Sequence, residues 1–210
     1  MFEIIKDCSP YYITFTHVGL SDYIKLLQDI ANNATFVSSN NKSVSILKEI
    51  YPTYHTEEFY ASSDDLEKII NKNPCSELLH LDKSAAFLTT YPGVRGPIHQ
   101  DVNALNKTNV QFRINYPVFV KDDKCITSWY EDIDLLRHSR IPIIDVSMHN
   151  PTSIMSTNIS PNYAVLFNTS IFHDWDNSQS DNKRTIVGMR ADTNHSDMTF
   201  FDARKILFGI

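Results

Sequence analysis

The segment Asn109–Val120, "NVQFRINYPVFV", decides how the second half of this chain is read. Side chains alternate between the two faces of a strand, so Gln111, Arg113 and Asn115 fall on one side and Phe112, Ile114, Tyr116 and Val118 on the other. The apolar side belongs against a core. Burying the polar side is costly unless it lines a wet, ligand-binding cavity, and if it faces outward it is simply solvated. Sequence alone leaves both orientations open.

Runs of the same kind flank it: "AAFLTTYP" from Ala85, "ITSWY" from Ile126, "IPIIDVS" from Ile141, "YAVLFNT" from Tyr163 and "RTIVGMR" from Arg184. Asn, Asp, Pro and Ser separate them. Six or more short strands in this span predict a β-sandwich or barrel. Upstream the spacing is helical instead. "LSDYIKLLQDIANN" puts Leu20, Tyr23, Leu26, Leu27 and Ile30 on one face behind a Ser21 cap, and "SSDDLEKIINKN" repeats the design behind Ser62 or Ser63. "MTFFDARKILFGI" predicts a closing helix. The expected organisation is one domain over 1–210: a mostly helical covering region at 1–84, a β core at 85–192 and a closing segment at 193–210.

Composition narrows the function. The chain has 210 residues, 42% hydrophobic and 21% charged, as an ordinary globular protein does. Its net charge is -6 with scattered basic residues, which argues against bulk nucleic-acid binding. No segment approaches the roughly 20 apolar residues of a membrane span, and the start lacks a secretory pattern. Cys8, Cys75 and Cys125 are isolated, without the spacing of a thiolate metal site or a disulfide framework, so a cytoplasmic location is expected.

Against that background "GPIHQD", Gly96–Asp101, stands out. In an extended segment residues i and i+2 point the same way, so His99 and Asp101 can reach one ion while Gln100 points elsewhere. Two histidines and a carboxylate on one face of a metal leave positions vacant for other reactants. A distal histidine exists in "IFHDWDNSQSDNKRTIVGMR": His173 closes one expected strand, a polar turn follows, and Arg184 opens the next. Arg184 offers a planar, permanently charged fork suited to a carboxylate. Arg190 shares its strand parity, and Arg95 lies just ahead of the histidine-aspartate pair.

This arrangement resembles the iron(II)/2-oxoglutarate-dependent oxygenases over roughly residues 85 to 192. "RINYPVF" and "TSWY" are similar to stretches of small bacterial and phage members near the aspartyl/asparaginyl hydroxylase group. The resemblance implies a double-stranded β-helix, a jelly-roll or cupin-like fold, with flanking helices. It implies His99, Asp101 and His173 as ligands of Fe(II), and Arg184 as the anchor for the distal carboxylate of the cosubstrate 2-oxoglutarate. Many members carry a serine two residues after that arginine, where this chain has Ile186. Arg113 and Asn115 are the candidates for the missing contact. The implied activity is hydroxylation, with dioxygen, of a small molecule, an amino acid or a protein side chain. A non-catalytic cupin-like binding module and a zinc-dependent hydrolase using the same three ligands are the alternatives.

Overall fold

In the computed structural model, residues 1–33, 37–38, 56–82, 85–101, 111–131, 143–144, 152–158, 160–195 and 197–210 are described. Most of "IPIIDVS" lies outside them. The chain folds as β1 (Phe2–Cys8), β2 (Tyr12–His17), α1 (Leu20–Asn33), β3 (Val37–Ser38), β4 (Thr56–Tyr60), α2 (Ser63–Lys72) and a short α3 (Ser76–Leu79). It continues with β5 (Ala86–Thr90), β6 (Ile98–His99), β7 (Phe112–Phe119), β8 (Ile126–Tyr130), β9 (Ile143–Ile144) and β10 (Met155–Asn158). Then come β11 (Ala164–Asn168), β12 (Phe172–Asp176), β13 (Arg184–Met189), a 3-10 turn at Thr193–His195 and α4 (Phe200–Phe208).

The strands form two antiparallel sheets. The larger has the order β1-β2-β11-β7-β13-β5-β4-β3 and the smaller β10-β8-β12-β6-β9. From β5 to β13 the chain crosses repeatedly between them: β5, β7, β11 and β13 lie in the larger sheet, β6, β8, β10 and β12 in the smaller. That alternation is the double-stranded β-helix, the expected jelly-roll fold. Pro117, which cannot donate to a ladder, sits opposite Ile186 where the β7–β13 register shifts.

Two faces of the larger sheet have different tasks. Its outer face carries Phe112, Ile114, Tyr116, Val118, Val187 and Met189, packed against Leu20, Tyr23, Leu27 and Ile30 of α1, Ile69 of α2 and Phe200 and Leu207 of α4. The helices therefore cover one sheet, as their spacing predicts. Its inner face carries Tyr12, Val165, Phe167 and Ile186 against Trp129 of the smaller sheet. Arg113 and Asn115 share that inner face, since they pair with Phe167 and Val165.

Three local expectations change. The region 1–84 also supplies β1, β2, β3 and β4, so it extends the larger sheet as well as covering it. "YITFTH" alternates in period two while "TEEFY" does not, and pairing with β11 and β5 decides their state. α1 starts at Leu20, directly after Gly19 at φ 83°, so Ser21 lies inside its first turn rather than capping it. His173 lies within β12, separated from β11 by a turn, rather than closing one long strand. Ser62 does cap α2, accepting from Asp65 N. Among the described residues no helix is long and apolar enough to cross a membrane, and all three cysteines are free.

Between helix and sheet lies one buried polar knot. Asn73 accepts from the Tyr116 hydroxyl at 3.1 Å and Cys75 N at 2.8 Å, and donates to the Tyr23 hydroxyl at 3.1 Å. A buried group left without its partner costs about 1–3 kcal/mol. Asn73→Leu strips three groups at once, so we expect a loss of about 2–4 kcal/mol in urea unfolding with an unchanged m-value. A loss under 0.5 kcal/mol would show the knot to be dispensable.

Candidate metal centre

His99 and His173 meet because β6 and β12 are antiparallel neighbours with these two residues directly opposite each other. Opposed residues share a face, and here it is the inner one, where Trp129 lies opposite His173. Their rings stand 4.6 Å apart between centroids. Asp101, two residues beyond His99, returns to the same side, and its backbone N donates to Thr169 O at 3.2 Å. Gln100 points away, its amide donating to Ser170 O at 2.6 Å. One ligand atom from each of His99, Asp101 and His173 lies within 4.8 Å of the others.

The imidazoles are oriented for coordination. Nδ1 of His99 is 2.9 Å from Pro97 O, and Nδ1 of His173 is 2.9 Å from Ile171 O. A carbonyl only accepts, so both Nδ1 atoms carry a proton; neutral His173 then presents a lone pair at Nε2, and His99 does so once the Nε2 proton it shares with Asp101 gives way to an ion. Backbone partners of this kind fix the tautomer of metal-ligating histidines. The donor set therefore fits a hard or borderline divalent ion with three positions left for other ligands.

Charge in the pocket is nearly balanced. Asp101 Oδ2 accepts from Arg113 Nε at 2.5 Å, while Oδ1 faces His99 Nε2 at 3.5 Å. Burial would raise the Asp101 carboxyl, but the charge of Arg113, the hydrogen bond from His99 and the charge of His173 together hold it far below the usual range. Burial and the neighbouring His99 push His173 down to about 4, so it is neutral at pH 7. Burial also opposes charge on His99, yet its hydrogen bond to Asp101 and that carboxylate's charge raise it. Arg113 claims one carboxylate oxygen and leaves the other to an ion.

Arg184 opens β13 on the inner face, 5% exposed. Its Nη1 donates to Cys125 Sγ at 2.8 Å. Its buried Nε has no partner and no carboxylate pairs with it among the described residues. A permanent charge buried in that state is poised for an anion. Ile186 offers no hydroxyl beside it and packs with Tyr12, Trp129 and Phe167. Arg113 and Asn115 face inward, which settles the orientation of "NVQFRINYPVFV"; Arg113 engages Asp101, and Asn115 Oδ1 is buried without a partner. Arg190 is tied to Asp82 at 3.4 Å instead.

Sequence reasoning missed Glu58 and Tyr60 of β4, which reach the same inner face; their face is set by pairing with β5 and carries no local signal in "TEEFY". Arg95 lies on the opposite side. With Asp174 and Tyr130 it forms a cluster on the outer face of the smaller sheet: Arg95 Nε to Asp174 Oδ2 2.8 Å, Arg95 Nη2 to the Tyr130 hydroxyl 2.9 Å, and Tyr130 to Asp174 Oδ2 3.0 Å. Arg95 precedes His99 and Asp174 follows His173, so this staple joins the two ligand-bearing segments from behind. Gly96 between them must be bare, because a Cβ there would come within 2.4 Å of the Trp175 ring.

No family model matches the chain, and no curated protein matches it. Among solved structures it is similar to oxalate decarboxylase of Bacillus subtilis. A structure concerned with the Mn(II) centres of that enzyme and one concerned with the substrate binding mode of an oxalate decarboxylase each show 12% identity, a TM-score of 0.37 and coverage of 65% of this chain and 26% of that one. A structure at pH 4.6 shows 11% identity, a TM-score of 0.36 and coverage of 65% and 25%. The chain thus spans about a quarter of the length of those proteins, and at such similarity nothing about chemistry carries across.

The staple generates a pH prediction. Burial raises the Asp174 carboxyl above its usual range, against the opposing pull of Arg95 and Tyr130. The native state then holds the proton more tightly than the unfolded chain, so stability falls as pH rises through that interval. Arg95→Gln removes the main compensating charge from a carboxylate that is 0% exposed. We expect a loss on the order of 1–3 kcal/mol at pH 7, discounted because Arg95 itself is partly exposed. Part of the loss should return as pH falls toward the carboxylate range. A pH-independent loss in chemical denaturation would contradict this account.

Proposed function

We propose that this chain is an iron(II)- and 2-oxoglutarate-dependent oxygenase that hydroxylates its substrate. The carrying observation is the coexistence, on the inner faces of one jelly-roll, of a two-histidine, one-carboxylate cluster and a buried arginine without a carboxylate partner. His99 Nε2, His173 Nε2 and Asp101 Oδ1 would hold the ion. Bound there with 2-oxoglutarate and dioxygen, iron(II) supplies the oxidising chemistry.

The protein's own contribution is orientation and exclusion of water. Arg184 binds the distal carboxylate of 2-oxoglutarate, with Cys125 holding Nη1 and leaving Nε for the anion. Phe167 packs edge-on against His173 at 5.4 Å and, with Trp129, keeps water from that side of the centre. Arg113 fixes Asp101 as a single-oxygen ligand, which preserves vacant positions. A zinc hydrolase has no need of Arg184.

The test is succinate formation from 2-oxoglutarate with iron(II) in air. We expect turnover that needs the metal, is lost in His173→Ala, and shows at least a tenfold higher 2-oxoglutarate KM in Arg184→Gln, about 1.4 kcal/mol of binding. If the intact chain neither produces succinate nor binds 2-oxoglutarate in the presence of iron(II), the oxygenase reading is lost.

A further inference from the structure

Among the described residues, Arg184 is tied at one end only. Cys125 Sγ, just ahead of β8 in the smaller sheet, accepts from Nη1 at 2.8 Å, while Nε, the guanidinium nitrogen nearest its own strand, is buried without a partner. An ionised carboxylate offers about four lone-pair sites, and one edge of a guanidinium fills two of them. An anion held by Arg184 therefore calls for a further donor, and the strand beside β13 is where one can stand.

The pairing of β5 with β13 supplies it. Thr90 stands directly opposite Arg184, and opposed residues share a face with Cβ atoms about 4.5–5.5 Å apart. Two residues along, the pair Leu88 and Ile186 belongs to the inner apolar cluster, so alternation puts Thr90 and Arg184 on the inner face too. The pair between them, Thr89 and Thr185, turns the other way, and there the two hydroxyls satisfy each other at 2.9 Å. Thr90 is 1% exposed, and among the described residues no hydrogen bond engages its hydroxyl. Leu88 and Ile186 have no polar side-chain atom to give, so Thr90 is the hydroxyl in register with the free side of Arg184.

The two strand ends are locked around this pair. Asn177, 1% exposed, donates from Nδ2 to Tyr91 O, one residue past Thr90, and to Asn182 O, two before Arg184, each at 3.0 Å. Asp122 Oδ2, three residues before Cys125, accepts from Ser180 Oγ and Asn182 Nδ2 at 2.8 Å each. Thr90, Arg184 and Cys125 are thus held by one buried network at the same end of the sandwich. Donors fixed in advance lose little freedom when a ligand arrives.

We infer that Thr90 Oγ1 is the second anchor of the cosubstrate's distal carboxylate, donating to one of its oxygens while Arg184 Nε donates to the other. This deepens, and rests on, the reading of Arg184 as the 2-oxoglutarate anchor. It also accounts for Ile186: the hydroxyl absent from β13 itself is provided one cross-strand position away, on β5. The pair acts only on ligands with a distal carboxylate, and a 2-oxo acid that ends in a methyl group gains nothing from it.

Ligand-detected NMR on the full chain tests it with three probes. They are 2-oxoglutarate with zinc(II), 2-oxopentanoate with zinc(II), which ends in a methyl group, and glutarate without metal, which lacks the chelating 2-oxo group. We expect Thr90→Val, checked for an unchanged circular dichroism spectrum, to weaken 2-oxoglutarate and glutarate at least fivefold and to leave 2-oxopentanoate within twofold. Thr90→Ser should bind all three within twofold of the unaltered chain. The Thr90 anchor is overturned if Thr90→Val keeps 2-oxoglutarate within twofold, if it weakens 2-oxopentanoate as much, or if Thr90→Ser fares no better than Thr90→Val. Glutarate separates this anchor from the oxygenase reading. If glutarate binds through Thr90 while zinc(II) does not strengthen 2-oxoglutarate, the oxygenase reading falls and the carboxylate site stays; if neither dicarboxylate binds, both fall.

Discussion

The pairing of β6 with β12 is the constraint on which the rest of the site depends. It sets His99 directly opposite His173, and two opposed residues in an antiparallel pair share one face. Once both imidazoles face the interior, alternation alone returns Asp101 to them. The contact is short, since β6 contains only Ile98 and His99. Its reinforcement comes from outside the pair: the Arg95–Asp174 staple behind the sheet, Gly96 N donating to Trp175 O at 2.8 Å, and Asn177 N donating to Val94 O at 2.8 Å.

A division of labour between the faces of the larger sheet makes the polar interior tolerable. The outer face, with the helices, holds the main apolar core. The inner face is freed from that task and carries Arg113, Asn115, Arg184, Glu58 and Tyr60. Buried polar groups are acceptable where they pair or meet a ligand. Asp101 pairs Arg113, Tyr60 pairs Glu58, and two of the buried groups left without partners, Arg184 Nε and Asn115 Oδ1, lie on the inner face of the sandwich. Local incompleteness of this kind marks where a sequence has been shaped for binding rather than for stability.

Which features were legible follows from the range of the interactions behind them. The alternation of Phe112, Ile114 and Tyr116 and the spacing of Leu20, Tyr23, Leu27 and Ile30 are local, and both elements form as that pattern predicts. His99 and Asp101 are two residues apart, so their common side was readable from the chain; their meeting with His173 is visible only once β6 and β12 pair. The inward face of Arg113 was undecidable locally, because the choice depends on β11 and β13 lying on either side of β7. Glu58 and Tyr60 were overlooked because "TEEFY" reads as polar and becomes a strand through its pairing with β5. Arg95 points away from the cavity for a similar reason: Asp174, buried on the outer face, is the charge that claims it.

One metal ion and 2-oxoglutarate are proposed to share this interior. Calorimetry under anaerobic conditions measures it directly, first with iron(II) and then with 2-oxoglutarate. We expect one iron(II) per chain, lost in His99→Ala, and 2-oxoglutarate binding at least tenfold tighter once the metal is present. Binding of 2-oxoglutarate with equal affinity in the presence and absence of iron(II), or metal binding undisturbed by His99→Ala, would contradict it.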